Sequence, residues 1–265
     1  MSVQRERLIL AIEEIAPPEL MEDWDNTGIQ LLTGKTEVDR ILVCLDICEE
    51  TIAEAVENRC DFMVSHHPMF FSGIKYINEN TVEGRNIMTL IREGISVYSS
   101  HTAFDTASGG NNDYLAEQIG LEAVWAPEEE PILRVGKISS LASPDLKEFC
   151  ALINEKIAGG KGLRYSGDLT REIRTVGICT GAGASLLEKA AALGCDVLLT
   201  GDVKYHDTQR AEALGIALID GGHFETEIFF AENMSRQLRD ALGDQAEILP
   251  AKSQKNTLKR FDSVL

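Results

Sequence analysis

The stretch CDFMVSHH, residues 60–67, decides how the chain is read: a β-rich apolar run at 61–65 ends in two adjacent histidines, His66 and His67, followed by Pro68. It lines up with CDVLLTGD at residues 195–202, and each stretch follows one helical pattern and precedes another. Farther on, GISVYSSH at 94–101 lines up with GIALIDGGH at 215–223, with one residue inserted. Beyond that point the spacing agrees again, because His101 is followed by Asp105 and His223 by Glu227. Two related α/β halves are the expectation.

Working outward, hydrophobic periodicity predicts strands at 40–47, 61–65, 94–100, 133–138, 163–166, 175–179, 196–200, 216–220 and 247–249. Helices are predicted at 51–60, 86–93, 112–119, 144–157, 186–193, 208–214 and, as one long amphipathic element, 226–242. Strands separated by helices of this length imply two related α/β domains with mixed, largely parallel sheets flanked by helices. One half is expected to span 1–128 plus about 226–265 and to carry the His-His site. The other is expected at about 129–225, contributing toward a shared metal site, with no large inserted domain.

Composition narrows the function. With 44% hydrophobic and 26% charged residues, the chain is neither disordered nor fibrous. No apolar run reaches the roughly 18 residues of a membrane helix. The first twenty residues read as an amphipathic helix rather than an export signal, so a soluble cytoplasmic protein is expected. Six cysteines (44, 48, 60, 150, 179 and 195) without CxxC spacing are expected to be reduced core thiols. Twenty-five Lys and Arg stand against 43 Asp and Glu, a net charge of −18 that repels nucleic acid. A small anionic substrate stays compatible with that field, because a bound cation inverts the local sign.

All five histidines (66, 67, 101, 206 and 223) fall at or just beyond the predicted C-terminal ends of strands, where open α/β sheets build their sites. Neighbouring residues of an extended chain point to opposite sides, so His66 and His67 suit two ions of a close pair rather than one. Pro68 fixes the direction in which the chain leaves the strand. His223 and Glu227, four apart where a helix begins, share a face, and His101 and Asp105 repeat the spacing. Imidazoles with carboxylates and no thiolate suit Zn, Mn, Fe, Co or Ni rather than Ca or Mg. Their number exceeds the three protein ligands of a catalytic zinc and points to a dinuclear centre. Other motifs carry less. No G-x-S-x-G elbow accompanies the serines before His66 and His101. The Gly181–Gly183 turn lacks the Lys-Ser/Thr of a P-loop and reads better as a tight strand-to-helix turn. Trp24-Asp25-Asn26 is either a plain turn or a pocket wall, and Lys204, His206 and Asp207 offer an anion or substrate contact.

WDNTGIQLL, SHHP followed by FF, SSHTAFD, TGDVKYHD and GGHFETE, in that order, resemble the type-2 GTP cyclohydrolase I homologues, also called the Nif-three-like dinuclear-metal family. The resemblance spans nearly the whole chain. It implies a two-domain α/β fold, a toroidal homohexamer and two divalent ions per subunit. By that likeness His67 and Asp105 bind one ion, His66 and His223 the other, and Glu227 bridges both. His101 then supports a ligand or moves a proton. The implied activity is metal-dependent hydrolysis of the GTP cyclohydrolase kind on a nucleotide or related anionic substrate. The alternative is a non-catalytic metal-binding hexameric scaffold, or a metal storage or interaction protein.

Overall fold

The structure, a computed structural model, describes residues 2–139, 144–157, 159 and 162–259. The chain begins with β1 (Val3–Gln4), α1 (Arg5–Ile15), β2 (Gly28–Leu31), β3 (Glu37–Val38), β4 (Arg40–Cys44), α2 (Glu49–Glu57), β5 (Phe62–Ser65), α3 (Val82–Glu93), β6 (Ser96–Ser99) and α4 (Thr102–Thr106). It continues through α5 (Asn111–Gln118), β7 (Glu122–Trp125), β8 (Arg134–Lys137), α6 (Leu146–Lys156), β9 (Arg164–Ser166), β10 (Thr175–Ile178), α7 (Leu187–Ala192), β11 (Val197–Thr200), α8 (Tyr205–Leu214), β12 (Ala217–Asp220) and α9 (His223–Glu227). It closes with α10 (Phe230–Leu242) and β13 (Glu247–Pro250). Two units result, Met1–Gly110 with Phe230–Lys255 and Asn111–Phe229 with Asn256–Leu265. Among the described residues no helix is long and apolar enough to cross a membrane.

The first unit is built on a five-stranded sheet ordered β13-β4-β5-β6-β2, parallel except for β2. β5 and β6 are buried along their whole length, as a sheet covered on both faces requires. Leu42, Met63 and Val97 pack with Ile52 and Ala55 of α2 and Leu90 of α3 on one face. On the other, α10 lies on β4 and β13 and against α1. The second unit has a six-stranded sheet, β7-β8-β10-β11-β12-β9, whose centre β10-β11-β12 is parallel and whose other pairings are antiparallel. Phe149 and Ile153 of α6 and Leu115 of α5 cover one face with Ile178, Leu199 and Ile219. Leu187 and Ala190 of α7 and Ala211 of α8 cover the other with Leu198 and Leu218.

The repeat expected from residues 60–67 and 195–202 extends in topology over four strands, while the outer neighbour of the first strand differs, parallel β13 in one unit and antiparallel β8 in the other. In each unit three parallel strands, β4-β5-β6 or β10-β11-β12, carry an antiparallel edge strand, β2 or β9, beside the third. Helices α2 and α7, then α3 and α8, make the crossovers, and a five-residue helix follows the last strand, α4 or α9. One carboxylate organises each repeat in the same way. Asp61 accepts the N–H groups of Asp39 (2.8 Å) and Arg40 (3.2 Å), and Asp196 accepts those of Arg174 and Thr175 (both 2.9 Å). Each ties the start of the first strand to the start of the second, and each has a cation beside it, Lys35 at 2.8 Å or Arg171 at 3.6 Å.

Two expectations change. The helix foreseen over 226–242 is two helices, α9 and α10, with residues 228 and 229 outside both. Phe229 packs against the core of the second unit, while Phe230 is fully buried against Phe104 and His66 of the first. Consecutive aromatic residues serve different cores at the point where α9 has ended and α10 begins. β7 goes unseen in the sequence because as an edge strand it leaves Glu122, Ala123 and Trp125 exposed and buries no periodic face. All six cysteines are free thiols and five are buried. Burial pushes the Cys60 thiol up to about 12.

Burial works to raise the Asp61 carboxyl, but the Lys35 hydrogen bond and the two backbone donors outweigh it and hold it below the ordinary value. A lowered native pKa stabilises the fold wherever the carboxylate is ionised, and the contribution is lost as pH falls through that pKa. Asp61→Ala is therefore expected to destabilise the protein by about 1–3 kcal/mol at neutral pH, since two N–H groups lose their acceptor. Urea unfolding over a pH series checks this: the gap between variant and parent should shrink as the pH drops below the carboxylate range.

Candidate metal centre

In the first unit, the C-terminal ends of neighbouring parallel strands gather the chemistry. His66 and His67 follow β5, and their backbone N–H groups continue the ladder to the carbonyls of Cys44 (3.0 Å), which ends β4, and Leu45 (2.9 Å), just past it. His101 follows β6 at the start of α4, and Asp105 lies within that helix. His66, His67 and His101 each place one ring nitrogen within 4.8 Å of the others. The His66 ring is buried against Phe230, with centroids 4.9 Å apart.

Hydrogen bonds set the orientation of each ring. His66 Nδ1 donates to the Ser100 carbonyl at 3.0 Å, His67 Nδ1 to Asp46 Oδ1 at 2.7 Å, and His101 Nδ1 to Asp25 Oδ1 at 2.7 Å. These partners only accept, so in the neutral ring the proton sits on Nδ1 and the lone pair on Nε2. Asp25 is held in turn by the hydroxyls of Thr27 (2.9 Å) and Thr102 (2.6 Å) and by Thr102 N–H (3.1 Å). Burial pushes its carboxyl upward, but the hydrogen bond from His101, the attraction of that ring whenever it is protonated, and the threonine donors leave it well below the carboxylate range.

The second unit repeats the device. His223 opens α9 and Glu227 ends it, so the two side chains stack one turn apart. His223 Nδ1 donates to Asp202 Oδ2 at 2.8 Å, and its Nε2 lies 3.0 Å from Glu227 Oε2. In the first unit, His66 Nε2 likewise faces Asp105 Oδ2 at 3.6 Å. Each pair sets a lone pair against a carboxylate, and Asp105 and Glu227 are buried. Such a pair is satisfied by a proton on Nε2 or by a metal ion bound there, and neutral imidazole with carboxylate is a donor set for a transition metal. The residues fit a metal on chemical grounds.

Residues 3–257 match the family described as Duf34/NIF3 (NGG1p interacting factor 3). The chain belongs to the Duf34/NIF3 family. It is 33% identical over 253 residues to a Clostridium perfringens protein named GTP cyclohydrolase 1 type 2 homolog, covering 94% of this chain and 96% of that one. A protein of the same name from Clostridium acetobutylicum is 33% identical over 247 residues, covering 91% and 92%. The solved structure of a Bacillus cereus protein related to NIF3 superposes with a TM-score of 0.90 at 19% identity, covering 98% of this chain and 99% of that one, which shows the shared fold.

Within this Duf34/NIF3 chain, sequence reasoning singled out His66, His67, His101, Asp105, His223 and Glu227, and it flagged Asp25 as either a turn or a pocket residue. It missed Asp46 and Asp202, which orient His67 and His223. The signal is positional: Asp46 lies just past β4 and Asp202 just past β11, each beside the strand whose loop bears the histidine. Asp202 takes a left-handed φ of 52°, strained for a residue with a side chain. His206 belongs to none of the metal-capable groups among the described residues and bonds the Gln209 side chain at 3.1 Å on the surface. Lys204 lines a cavity of about 260 Å³ with Arg164, Tyr165, Tyr205 and Asp220.

The Gly181–Gly183 turn is structural. Gly181 N–H donates to Thr226 Oγ1 at 3.0 Å and Gly183 N–H to Thr200 Oγ1 at 2.8 Å, which removes both from any phosphate. Gly181 sits at φ +66°, and a Cβ there would lie 2.1 Å from Glu227 Oε1. The missing side chain is what lets the carboxylate approach the backbone.

Two tests follow from this geometry, each read by chelator-dye competition. Gly181→Ala should weaken divalent-metal binding about tenfold or more by displacing Glu227, whereas Gly34→Ala, with nothing within 4 Å of its Cβ, should leave it unchanged. Asp46→Ala should weaken it about 10–100-fold, because the proton on His67 is then no longer confined to Nδ1.

Proposed function

We propose that this Duf34/NIF3 protein is a dinuclear divalent-metal hydrolase of the GTP cyclohydrolase 1 type 2 kind, acting on a nucleotide or a related anionic substrate. The observation that carries the proposal is the facing of lone pair and carboxylate at His66–Asp105 and at His223–Glu227, with each Nδ1 already tied to an acceptor. By the family resemblance His67 and Asp105 would hold one ion and His66 and His223 the other, with Glu227 serving both, so that the carboxylate facing His66 belongs to the neighbouring ion. The motif order supports the ligand assignment through the family resemblance, and the names of the Clostridium relatives support only the cyclohydrolase kind.

Divalent metal held by these residues would supply Lewis acidity, lowering the pKa of water and polarising the bond under attack. The remaining work belongs to the chain. Ser100, Asp46 and Asp202 keep the Nε2 lone pairs of His66, His67 and His223 aimed without reorganisation, the preorganisation on which an electrostatic site depends. His101, its Nδ1 proton anchored on Asp25, takes a proton at Nε2 as general base, and the low pKa of Asp25 keeps the anchoring carboxylate ionised throughout. The toroidal homohexamer and the cytoplasmic location belong to the same proposal.

Elemental analysis of protein purified without added metal should find two divalent ions per chain, drawn from Zn, Fe, Mn, Co and Ni. Protein loaded with Zn, Mn or Fe should hydrolyse GTP or a related nucleotide, and Glu227→Gln should lower turnover at least a hundredfold, about 2.7 kcal/mol of barrier. Absence of metal-dependent turnover across nucleotide, phosphoester and amide substrates would overturn the catalytic reading.

A further inference from the structure

Two large aromatic side chains stand in solvent beside the imidazole cluster of the first unit. Trp24 is 62% exposed and Phe71 59% exposed. Both meet the His101 ring edge to face, with centroids 5.8 Å and 5.7 Å away and interplanar angles of 78°. Apolar surface of this size left open to water is unfavourable for folding, and beside a site it marks a ligand contact.

Neither ring hangs from a loose loop. Trp24 precedes Asp25, whose carboxylate accepts from His101, Thr27 and Thr102 and also from Asn26 N–H at 2.7 Å. Asn26 Nδ2 donates to the Phe70 carbonyl at 2.5 Å, and Phe70 N–H donates to Gln30 Oε1 at 3.2 Å. Gln30 closes the link by donating to the Asn26 carbonyl at 2.7 Å. The WDN turn and the loop after His67 are therefore stitched together. The frame that fixes His101 also fixes the backbone beside both aromatic residues, at Asp25 next to Trp24 and at Phe70 next to Phe71.

We infer that Trp24 and Phe71 bind the planar heteroaromatic ring of the substrate, a nucleobase, by stacking, and so place the ring beside His101. The inference rests on the hydrolase reading of the same site and adds to it the two side chains that hold the ring of the substrate. Stacking suits this role because every base offers a π-face, and contacts with aromatic residues give affinity without requiring a particular base edge. The two rings are specificity-determining contacts for a planar ligand, and the imidazoles keep the chemistry.

The experiment uses Trp fluorescence in full-length Trp125→Phe, where Trp24 is the one remaining tryptophan of the two in the sequence. Guanosine and adenosine 5′-monophosphates are titrated against ribose 5-phosphate, which has the same anion and no base. The nucleotides should quench Trp24 saturably and ribose 5-phosphate should not. By calorimetry, Trp24→Ala and Phe71→Ala should each weaken nucleotide binding about tenfold or more, Trp24→Phe should restore most of it, and bound-metal content should match the parent. The inference is overturned if neither nucleotide quenches Trp24, or if both alanine variants bind as the parent does. It is also overturned if the variants change oligomeric mass by light scattering instead, which would make the patch a contact between copies. Metal content and turnover report separately on the hydrolase reading, which can fail while nucleotide stacking persists.

Discussion

A neutral imidazole offers one lone pair, and the partner of its other nitrogen decides where that lone pair points. At His66, His67, His101 and His223 the partner of Nδ1 is an oxygen that can only accept: Ser100 O, Asp46, Asp25 and Asp202 in turn. The constraint costs little to satisfy, because parallel strands end side by side and their exits are already adjacent. Asp46 leaves β4 next to the histidines leaving β5, and Asp202 leaves β11 next to the strand that leads to His223. Everything chemical in the molecule depends on this arrangement of strand exits.

The same frame is used twice with different contents. Where the first repeat places His66-His67, the second places Gly201-Asp202. Asp202 supplies the acceptor for His223, and Gly201 leaves room, since a Cβ there would lie 2.6 Å from His223 N. Where the first places His101 and Asp105, the second places His223 and Glu227, on short helices of equal length. Asp61 and Asp196 hold the strand starts of both repeats alike, so divergence is confined to the C-terminal edge, where loops can change without disturbing the core.

Much of this was legible from the chain. Strands such as 61–65 and 196–200 announce themselves as short apolar runs, and His66, His67, His101 and His223 stand out because each follows one. The spacing of His223 and Glu227 is a property of a helix turn and needs no tertiary knowledge. Less legible were features that depend on which strands become neighbours. Asp46 and Asp202 are ordinary acids until β4 lies beside β5 and β11 beside β12. The break at 228–229 could not be read from amphipathicity either, because Phe229 and Phe230 are both apolar and only the destination of each ring separates the helices. Trp24-Asp25-Asn26 looked odd in the sequence, and the structure gives the reason: Asp25 is an anchor for His101 as well as a turn residue.

The most direct test of the account is anomalous diffraction from crystals of the zinc-loaded protein, which locates the ions without reference to activity. Zinc on Nε2 of His66, His67 and His223, with each Nδ1 still bonded to Ser100, Asp46 or Asp202, is the predicted result. Zinc on any Nδ1, or zinc at other residues with these rings left uncoordinated, would contradict it.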